Sequence, residues 1–399
     1  MSKQTRTNLR EENIICFAGA DWWYHNPHSD LHIMKSFAKQ NRILFVNSIG
    51  TRMPSFKTDK FAWKRIIGKL KSLARYLKKA EQNIYVLTPI ALPPIKGYER
   101  FVSIMNKCLL LLQFDIILRM LNFKNPLLWV CIPSVKDIAL YQRRKIAKCL
   151  VYYCTDNVAY YTGEINHYIL DMDIRIQQSA DVAFFVNHRM VEERKNFNHN
   201  THHLGHGVDY DHFARCNLNH LPVPDDIMDI KTPIVGYIGV LTDLDFELVR
   251  YLARKNKDLS FVFIGDIYSD TTVVKEEKNI YFLGKKPYEL LPNYMQKIAC
   301  FGIYYRKDNI FNSYRNPKKL LEYLATGKPV VSVDILELEY FKDYLYIAKD
   351  YEEFNYQLHR AISSDTPAMR QKRTCYAKEH TWDFIADQAA QHIVSFLNR

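Results

Sequence analysis

Two lysines and a glutamate stand close together in this chain, at Lys318, Lys319 and Glu322. A lysine binds phosphate as a point charge, and a carboxylate can accept hydrogen bonds from a pair of hydroxyls. If the three residues share a helix with the lysines at its N-terminus, the helix dipole adds to the attraction for an anion. This chemistry suits a nucleotide, with phosphates near the lysines and a ribose near Glu322. The alternative is an ordinary amphipathic helix whose charged side chains are solvated.

The surrounding residues, 316–332, predict such a helix followed by a strand. Pro317 suits the first helical position, where its missing N–H costs nothing. An apolar stripe at helical spacing follows, formed by Leu320, Leu321 and Leu324. Gly327 is typical of a helix end, and the Val pair after Pro329 is typical of a buried strand.

Apolar strands alternate with helices along the rest of the chain. The predicted strands are 14–18, 42–47, 84–88, 127–132, 149–154, 182–187, 234–239, 260–264, 280–283, 299–304 and 329–333. This alternation predicts an α/β protein with doubly wound, Rossmann-like parallel sheets. A polar stretch with three prolines divides it, so we predict a first domain at 1–216, a linker at 217–233, a second domain at 234–375 and a final helix at 376–399.

Basic residues exceed acidic ones by 12 in the 399 residues, which favours an anionic partner. Residues 57–79 hold nine basic side chains against one acidic, with apolar residues three and four apart between them. We predict a basic amphipathic helix lying on an anionic membrane surface, with contacts from Trp63, Lys64, Arg65, Lys69 and Lys71. The alternative is a helix packed on its own domain. Nucleic acid is not expected, because no nucleic-acid-binding motif accompanies the charge.

The composition is otherwise that of a globular protein, with 48% hydrophobic and 25% charged residues. We expect neither a secretory signal nor a membrane-spanning segment, because the first residues are polar and no apolar run is long enough. The eight cysteines show no metal-ligand spacing, which predicts reduced thiols in a cytoplasmic protein and no metal site.

The run from Lys319 to Val331 resembles the donor-binding helix of GT-B glycosyltransferases, with the pattern Lys-Leu-x-Glu-Tyr-x-Ala-x-Gly-x-Pro-Val-Val. The resemblance implies two Rossmann-like domains facing a cleft, with the last helix crossing back to the first domain. It also implies a ribose at Glu322 and a diphosphate near Lys319. Many retaining members carry a second glutamate eight positions earlier, where this chain has Tyr314. That departure shifts the expectation towards inversion.

An inverting transfer needs a base for the acceptor hydroxyl, and Asp156 ends the apolar strand that begins at Leu150. A helix N-cap is the other interpretation of Asp156. The chain is most similar to xanthan-type bacterial glucuronosyltransferases and their teichuronic-acid-pathway relatives, in which an aspartate at this strand end is the proposed base. The similarity rests on four motifs in order: His32, residues 153–157, residues 205–209 and residues 319–331.

Ligands of doubly wound domains bind at the carboxyl ends of strands, which selects further candidates. On the donor side these are Gly239, Val240, Tyr304 and Arg306, in addition to Lys318, Lys319 and Glu322. On the acceptor side or in the cleft they are Trp22, His25, His32 and His206, each of which could instead simply pack in a core. No metal and no cofactor is implied, because such folds hold diphosphate with basic groups and helix dipoles.

The resemblance therefore implies an enzyme that moves a sugar from a nucleoside-diphosphate donor, with UDP expected by analogy, to a lipid-linked saccharide. It implies work at the cytoplasmic face of a bacterial plasma membrane, in capsule, exopolysaccharide or related surface polysaccharide assembly. One alternative is a retaining transferase or a sugar-nucleotide epimerase on the same fold. Another is a non-catalytic basic protein that binds membranes or nucleic acid.

Overall fold

The structure is a computed structural model, and it describes residues 8–23, 27–48, 71, 75–92, 98–161, 164–218 and 221–399, without the side chains of residues 99, 100 and 103. The chain forms two compact units. The first unit contains residues 1–159, 165–204 and 385–399, and the second contains 160–164 and 205–384. Residues 205–216 thus group with the second unit. The predicted domain boundaries at 216, 233 and 375 stay a prediction.

The first unit is built on a largely parallel sheet. Its strands are β1 (Asn13–Phe17), β2 (Arg42–Val46), β3 (Leu77–Glu81), β4 (Ile84–Leu87), β5 (Leu127–Val130), β6 (Cys149–Cys154), β7 (Val182–Phe185) and β8 (Thr201–His203). They lie in the order β3-β4-β2-β1-β5-β6-β7-β8. Ile14 is paired with Ile43 on one side and Leu127 on the other. Because helices cover both faces of such a sheet, its central strands are continuous apolar runs.

The helices of the first unit follow the predicted alternation. Those whose bounds the structure describes are α1 (Ser29–Ala38), α2 (Glu99–Met120), α3 (Lys136–Lys145), α4 (His167–Ser179) and α5 (His188–Arg194). Short 3-10 segments lie at Pro133–Val135 and Val158–Tyr160. In the described ranges, no helix combines the length and apolar content needed to cross a bilayer.

The second unit contains a fully parallel sheet in the order β11-β10-β9-β12-β13-β14. Its strands are β9 (Ile234–Ile238), β10 (Ser260–Ile264), β11 (Ile280–Phe282), β12 (Ile298–Ile303), β13 (Val330–Val333) and β14 (Tyr346–Ala348). Its helices are α6 (Tyr210–Ala214), α7 (Asp225–Met228), α8 (Phe246–Lys255), α9 (Leu291–Met295), α10 (Lys319–Ala325), α11 (Tyr351–Ser363) and α12 (Pro367–Glu379). The last helix, α13 (Trp382–Leu397), begins in this unit, and its residues from 385 onward group with the first unit. The predicted doubly wound α/β class is confirmed for both units.

The predicted basic helix at 57–79 is wrong at its C-terminal end. Leu77–Glu81 is strand β3, antiparallel to β4, and Leu77 pairs with Leu87. A two-residue turn, Gln82-Asn83, joins the two strands, and pairing with β4 overrides the local helical spacing. Lys71 is helical and exposed. The predicted membrane contacts Trp63, Lys64, Arg65 and Lys69 lie outside the described residues.

Candidate functional site

Helix α10 forms where the sequence predicts it, with its first turn displaced by two residues. The helix begins at Lys319, and the Pro317 carbonyl accepts a hydrogen bond from the Leu320 N–H at 2.8 Å. The leucine stripe is buried, as its spacing predicts. Gly327 follows the helix with φ +73°, a left-handed conformation that favours glycine. The segment therefore positions Lys319 and Glu322 on one short, well-anchored helix.

The Lys319 ammonium lies between two tyrosine rings at the carboxyl end of β9. Its Nζ donates to the Tyr237 hydroxyl and lies 3.9 Å from the Tyr237 ring centroid and 5.3 Å from that of Tyr305. Gly239 passes directly over it with φ +142°, and a Cβ there would meet Nζ at 2.8 Å. Burial lowers the pKa of Lys319 below its usual value. The cation is thus held in an aromatic cage beneath a glycine turn.

A second cation, Arg315, adjoins this cage. Its guanidinium carbon lies 4.6 Å from the Tyr305 ring centroid, and Nη2 lies 3.4 Å from Oδ2 of Asp243. Burial raises the pKa of Tyr305, but the positive charges of Lys319 and Arg315 outweigh burial and lower it overall. The surroundings of Tyr305 therefore favour negative charge, which is the property required of a diphosphate site.

Glu322 lies one turn beyond Lys319 and is 9% exposed. Its carboxylate is 3.4 Å from the Lys318 ammonium. Tyr288 has its pKa raised by burial and, second, by the negative charge of Glu322. The Tyr288 ring stacks on His212 with centroids 4.4 Å apart and planes 8° from parallel. A carboxylate can accept hydrogen bonds from the two hydroxyls of a ribose, and a flat aromatic side chain beside it can stack on a base. The two together suit a nucleoside.

The position of the missing second glutamate is filled by a packed aromatic ring. Tyr314 is 5% exposed and stacks on Tyr160, with centroids 5.7 Å apart and planes 17° from parallel. Tyr161 makes an edge contact with Phe311 in the same segment. A buried stack cannot supply a carboxylate, so this position has a structural role in this chain.

Tyr304 packs on the Tyr237 ring of the cage, with centroids 6.4 Å apart, whereas Arg306 lies elsewhere in the unit. Tyr304 is fully buried and stacks on Phe354 at 5.4 Å, because successive residues of an extended segment face opposite ways. Arg306 pairs with Asp308 and lines a separate cavity of about 560 Å³ with Lys349. Sequence reasoning therefore chose Tyr304 where the structure places Tyr305, and it missed Arg315 and Tyr237.

The remaining donor candidate, Val240, is half-exposed, and its carbonyl accepts from the Tyr237 hydroxyl at 3.0 Å. That hydrogen bond orients the ring on which the Lys319 ammonium lies. Val240 therefore acts on the cage through its backbone.

In the first unit, Asp156 lies two residues beyond the end of β6 and is exposed. The strand that carries it is rigidly anchored. Tyr152 is fully buried and donates to Asp173, which pairs with Arg194 at 2.8 Å. The Asp156 carbonyl accepts from the Val158 N–H at 2.8 Å, which shapes the turn. An exposed carboxylate on a strand end held in this way has the placement that a general base needs.

The acceptor-side candidates lie at separate places. The Trp22 backbone N–H donates to Asn47 Oδ1 at 2.8 Å, and its ring makes an edge contact with Phe45 at 5.0 Å. His32 is partly buried on α1. His206 groups with the second unit, where it is 9% exposed and makes an edge contact with Trp382 at 6.5 Å. His25 lies outside the described residues.

Comparison with known sequences finds a partial relative. No protein-family profile matches the chain. A curated relative from Bacillus subtilis (strain 168), named as the teichuronic acid biosynthesis glycosyltransferase TuaH, is 29% identical over 178 residues. That match covers 42% of this chain and 44% of the relative, so less than half of either sequence is compared.

Two solved structures match almost the whole chain. Anabaena HepE in complex with UDP and glucose has a TM-score of 0.64 at 12% identity, covering 97% of this chain and 100% of HepE. Sucrose-phosphate synthase from Thermosynechococcus elongatus has a TM-score of 0.68 at 14% identity, covering 97% and 99% of the two chains. The fold is therefore the GT-B fold of glycosyltransferases, as the sequence predicts.

Proposed function

We propose that this protein is a glycosyltransferase that uses a nucleoside-diphosphate sugar, with UDP as the nucleotide. The observation that carries the proposal is the cage of Lys319, with Arg315 beside it and Glu322 one turn further along the same helix. Cations and a carboxylate in that order match the diphosphate and ribose of a nucleotide. The similarity to HepE, a protein solved with UDP and glucose, supports the choice of UDP.

The diphosphate leaving group would be stabilised by Lys319 and Arg315, and the glycine turn at Gly239 would let the backbone approach it closely. Two fixed cations can neutralise the charge that develops on a departing diphosphate. We therefore propose that transfer needs neither a metal ion nor a cofactor.

Asp156 would act as the base in an inverting transfer. Its carboxylate would take the proton of the acceptor hydroxyl while the acceptor oxygen attacks the anomeric carbon and the bond to the diphosphate breaks. The buried stack of Tyr314 on Tyr160 supports this assignment, because it leaves no carboxylate where many retaining enzymes of this fold carry one.

The acceptor would be a lipid-linked saccharide in the assembly of a bacterial surface polysaccharide, such as a capsule or exopolysaccharide. The name of the relative TuaH and the basic run at 57–79 support this proposal. The protein would then act at the cytoplasmic face of the plasma membrane as a peripheral protein. Trp22, His25, His32 and His206 remain the candidate residues for acceptor contacts.

A nucleotide panel tests the donor site directly. Thermal unfolding in the presence of UDP, GDP, ADP and CDP should show one selective increase in Tm, for UDP. The variant Asp156→Asn should keep that increase and lose turnover with the matching UDP-sugar. A chain that responds to no nucleotide would contradict the proposal and favour a binding protein. The anomeric configuration of the product, read by NMR, would separate inversion from retention.

A further inference from the structure

Helix α2 carries a row of large apolar side chains that point into solvent. They lie on one side of the helix, over about 30 Å at 1.5 Å per residue. The exposed members are Phe101, Ile104, Met105, Leu112, Ile116 and Met120, with exposed fractions from 42% to 68%. A group of large apolar side chains exposed on one side of a helix often marks an interaction surface. We call these residues the α2 face.

A neighbouring segment, 90–92, is fastened along the same helix by two side-chain amides. Gln113 accepts from the Ile90 N–H at 2.9 Å and donates to the Ile90 carbonyl at 2.8 Å. Asn106, two turns away, does the same for Leu92, at 2.6 and 2.9 Å. The side chains of Ile90 and Leu92 are 49% and 43% exposed. The two clamps therefore hold two more apolar side chains beside the α2 face.

The clamps also satisfy the backbone polar groups of Ile90 and Leu92 without water. A loop that remains in water does not need this, because water can pair with its N–H and C=O groups. A loop that enters the apolar zone of a bilayer does need it, because an unsatisfied backbone group there costs several kcal/mol. The hydrogen-bonding pattern thus favours lipid as the occupant of this surface.

The charges around the α2 face have the sign that suits an anionic bilayer. Lys107 and Arg119 are exposed on α2, while Asp115 on the same helix is paired with Lys145 at 2.6 Å. The chain as a whole carries a net charge of +12. A second copy of this chain would bring like charges together, whereas anionic headgroups would neutralise them.

We propose that the α2 face, with Ile90 and Leu92, inserts into the interface of an anionic membrane. This inference rests on the proposed function, because a lipid-linked acceptor is presented at a membrane surface. It assigns the apolar contribution to membrane binding to α2 and the 90–92 segment, where the sequence pointed only to residues 57–79.

The chain provides its own probe site for a test. Cys108 and Cys375 are exposed and the other six cysteines are buried. Cys108 belongs to α2, and Cys375 lies on α12 in the second unit. An environment-sensitive fluorophore on Cys108 of the variant Cys375→Ser should shift to the blue on vesicles of equimolar phosphatidylglycerol and phosphatidylethanolamine. Brominated lipid should then quench it. The same label on Cys375 of the variant Cys108→Ser should not respond.

A pair of substitutions tests the energetic contribution. Leu112→Gln with Ile116→Gln should lower the vesicle partition coefficient by about tenfold or more, because two aliphatic side chains no longer leave water. Tyr168→Gln is the matched control, since Tyr168 is 73% exposed on α4 of the same unit, and it should bind vesicles as the original chain does.

Three results would overturn the inference. One is unchanged vesicle binding of the double variant, and another is a Cys108 label that stays in a polar environment on bound vesicles. The third is a dimer that the double variant dissociates, because the α2 face would then be a protein interface. The Tm increase with UDP is measured separately from these readouts. If that increase is absent while the vesicle results are as expected, the donor proposal fails, and the α2 face is a membrane-binding surface of a protein with another function.

Discussion

Replacing Lys319 with methionine removes the caged ammonium and keeps most of the side-chain volume. The ammonium lies 3.9 Å from the Tyr237 ring centroid, with the charge of Arg315 close by. If it contacts a diphosphate, the variant loses a charge-assisted interaction of about 1.5–3 kcal/mol. The Kd for UDP, measured by titration calorimetry, should therefore rise by roughly tenfold to a hundredfold.

The same substitution should not reduce the stability of the protein. Burial lowers the pKa of Lys319, because the folded state disfavours the protonated form of its amine. The Tyr237 hydroxyl keeps its hydrogen bond to the Val240 carbonyl. The free energy of unfolding of Lys319→Met in urea should therefore equal or exceed that of the original chain. A large loss of stability with an unchanged Kd would refute the donor role and identify Lys319 as a packing residue.

Lys307→Met is the matched control, because it removes one exposed ammonium from the same unit. If it weakens UDP binding as much as Lys319→Met does, the effect comes from net charge and the cage is irrelevant.

The lowered pKa of Lys319 also predicts a pH dependence. A lysine whose folded pKa lies below the unfolded value of 10.5 contributes stability that is fully present above 10.5 and is lost as pH falls through the folded pKa. UDP binding needs the ammonium, so UDP affinity should fall as pH rises through that folded pKa. Lys319→Arg keeps its charge and should remove this dependence.

Three further predictions concern other parts of the chain. Asp156→Asn should lower turnover by about 10²- to 10⁴-fold while the Tm increase with UDP persists, and full turnover of this variant would refute the base assignment. Tyr314→Ala, which deletes a buried ring stacked on Tyr160, should lower the free energy of unfolding by about 3 kcal/mol, whereas Tyr314→Phe should cost little. His202 and His392 stack at 3.8 Å, and burial, then the charge of His392, lowers the pKa of His202 from 6.5 to about 4. The stability that this pair contributes is therefore present above pH 6.5 and is lost as pH falls towards 4. After solvent screening, the loss should be on the order of 1 kcal/mol. The free energy of unfolding of His202→Phe, measured in urea, should depend less on pH over this range.

Much of the fold was predictable because it follows from local patterns. The bounds of β6 and β10 agree residue for residue with the predicted strands, since both are apolar runs ended by polar or glycine residues. Helix α10 was predicted to within two residues from its leucine spacing and Gly327. Strand β3 was missed, because its helix-like spacing gives way to pairing with β4, which no local pattern reports.

The candidate donor site was predictable only in part. Lys319 and Glu322 share a helix, so their relation is visible in the sequence. Tyr237 is 82 residues from Lys319, and the two meet because β12, which precedes α10 in the chain, pairs with β9 in the sheet. Tyr304 and Tyr305 are both buried, and which ring lies beside Lys319 depends on how the chain packs after β12, which two adjacent tyrosines in a sequence do not reveal.

The amino-acid sequence by itself determined the α/β class, the helix that carries Lys319 and Glu322, and the excess of positive charge. These are properties of spacing and composition, which local geometry converts directly into structure. Tertiary structure alone decided that Lys319 lies between Tyr237 and Tyr305 with Arg315 beside it, that Tyr314 is a packed ring, and that one side of α2 remains exposed. Those facts depend on the register of distant strands and on which faces the sheets bury, because burial and charge proximity arise only when separate segments pack together.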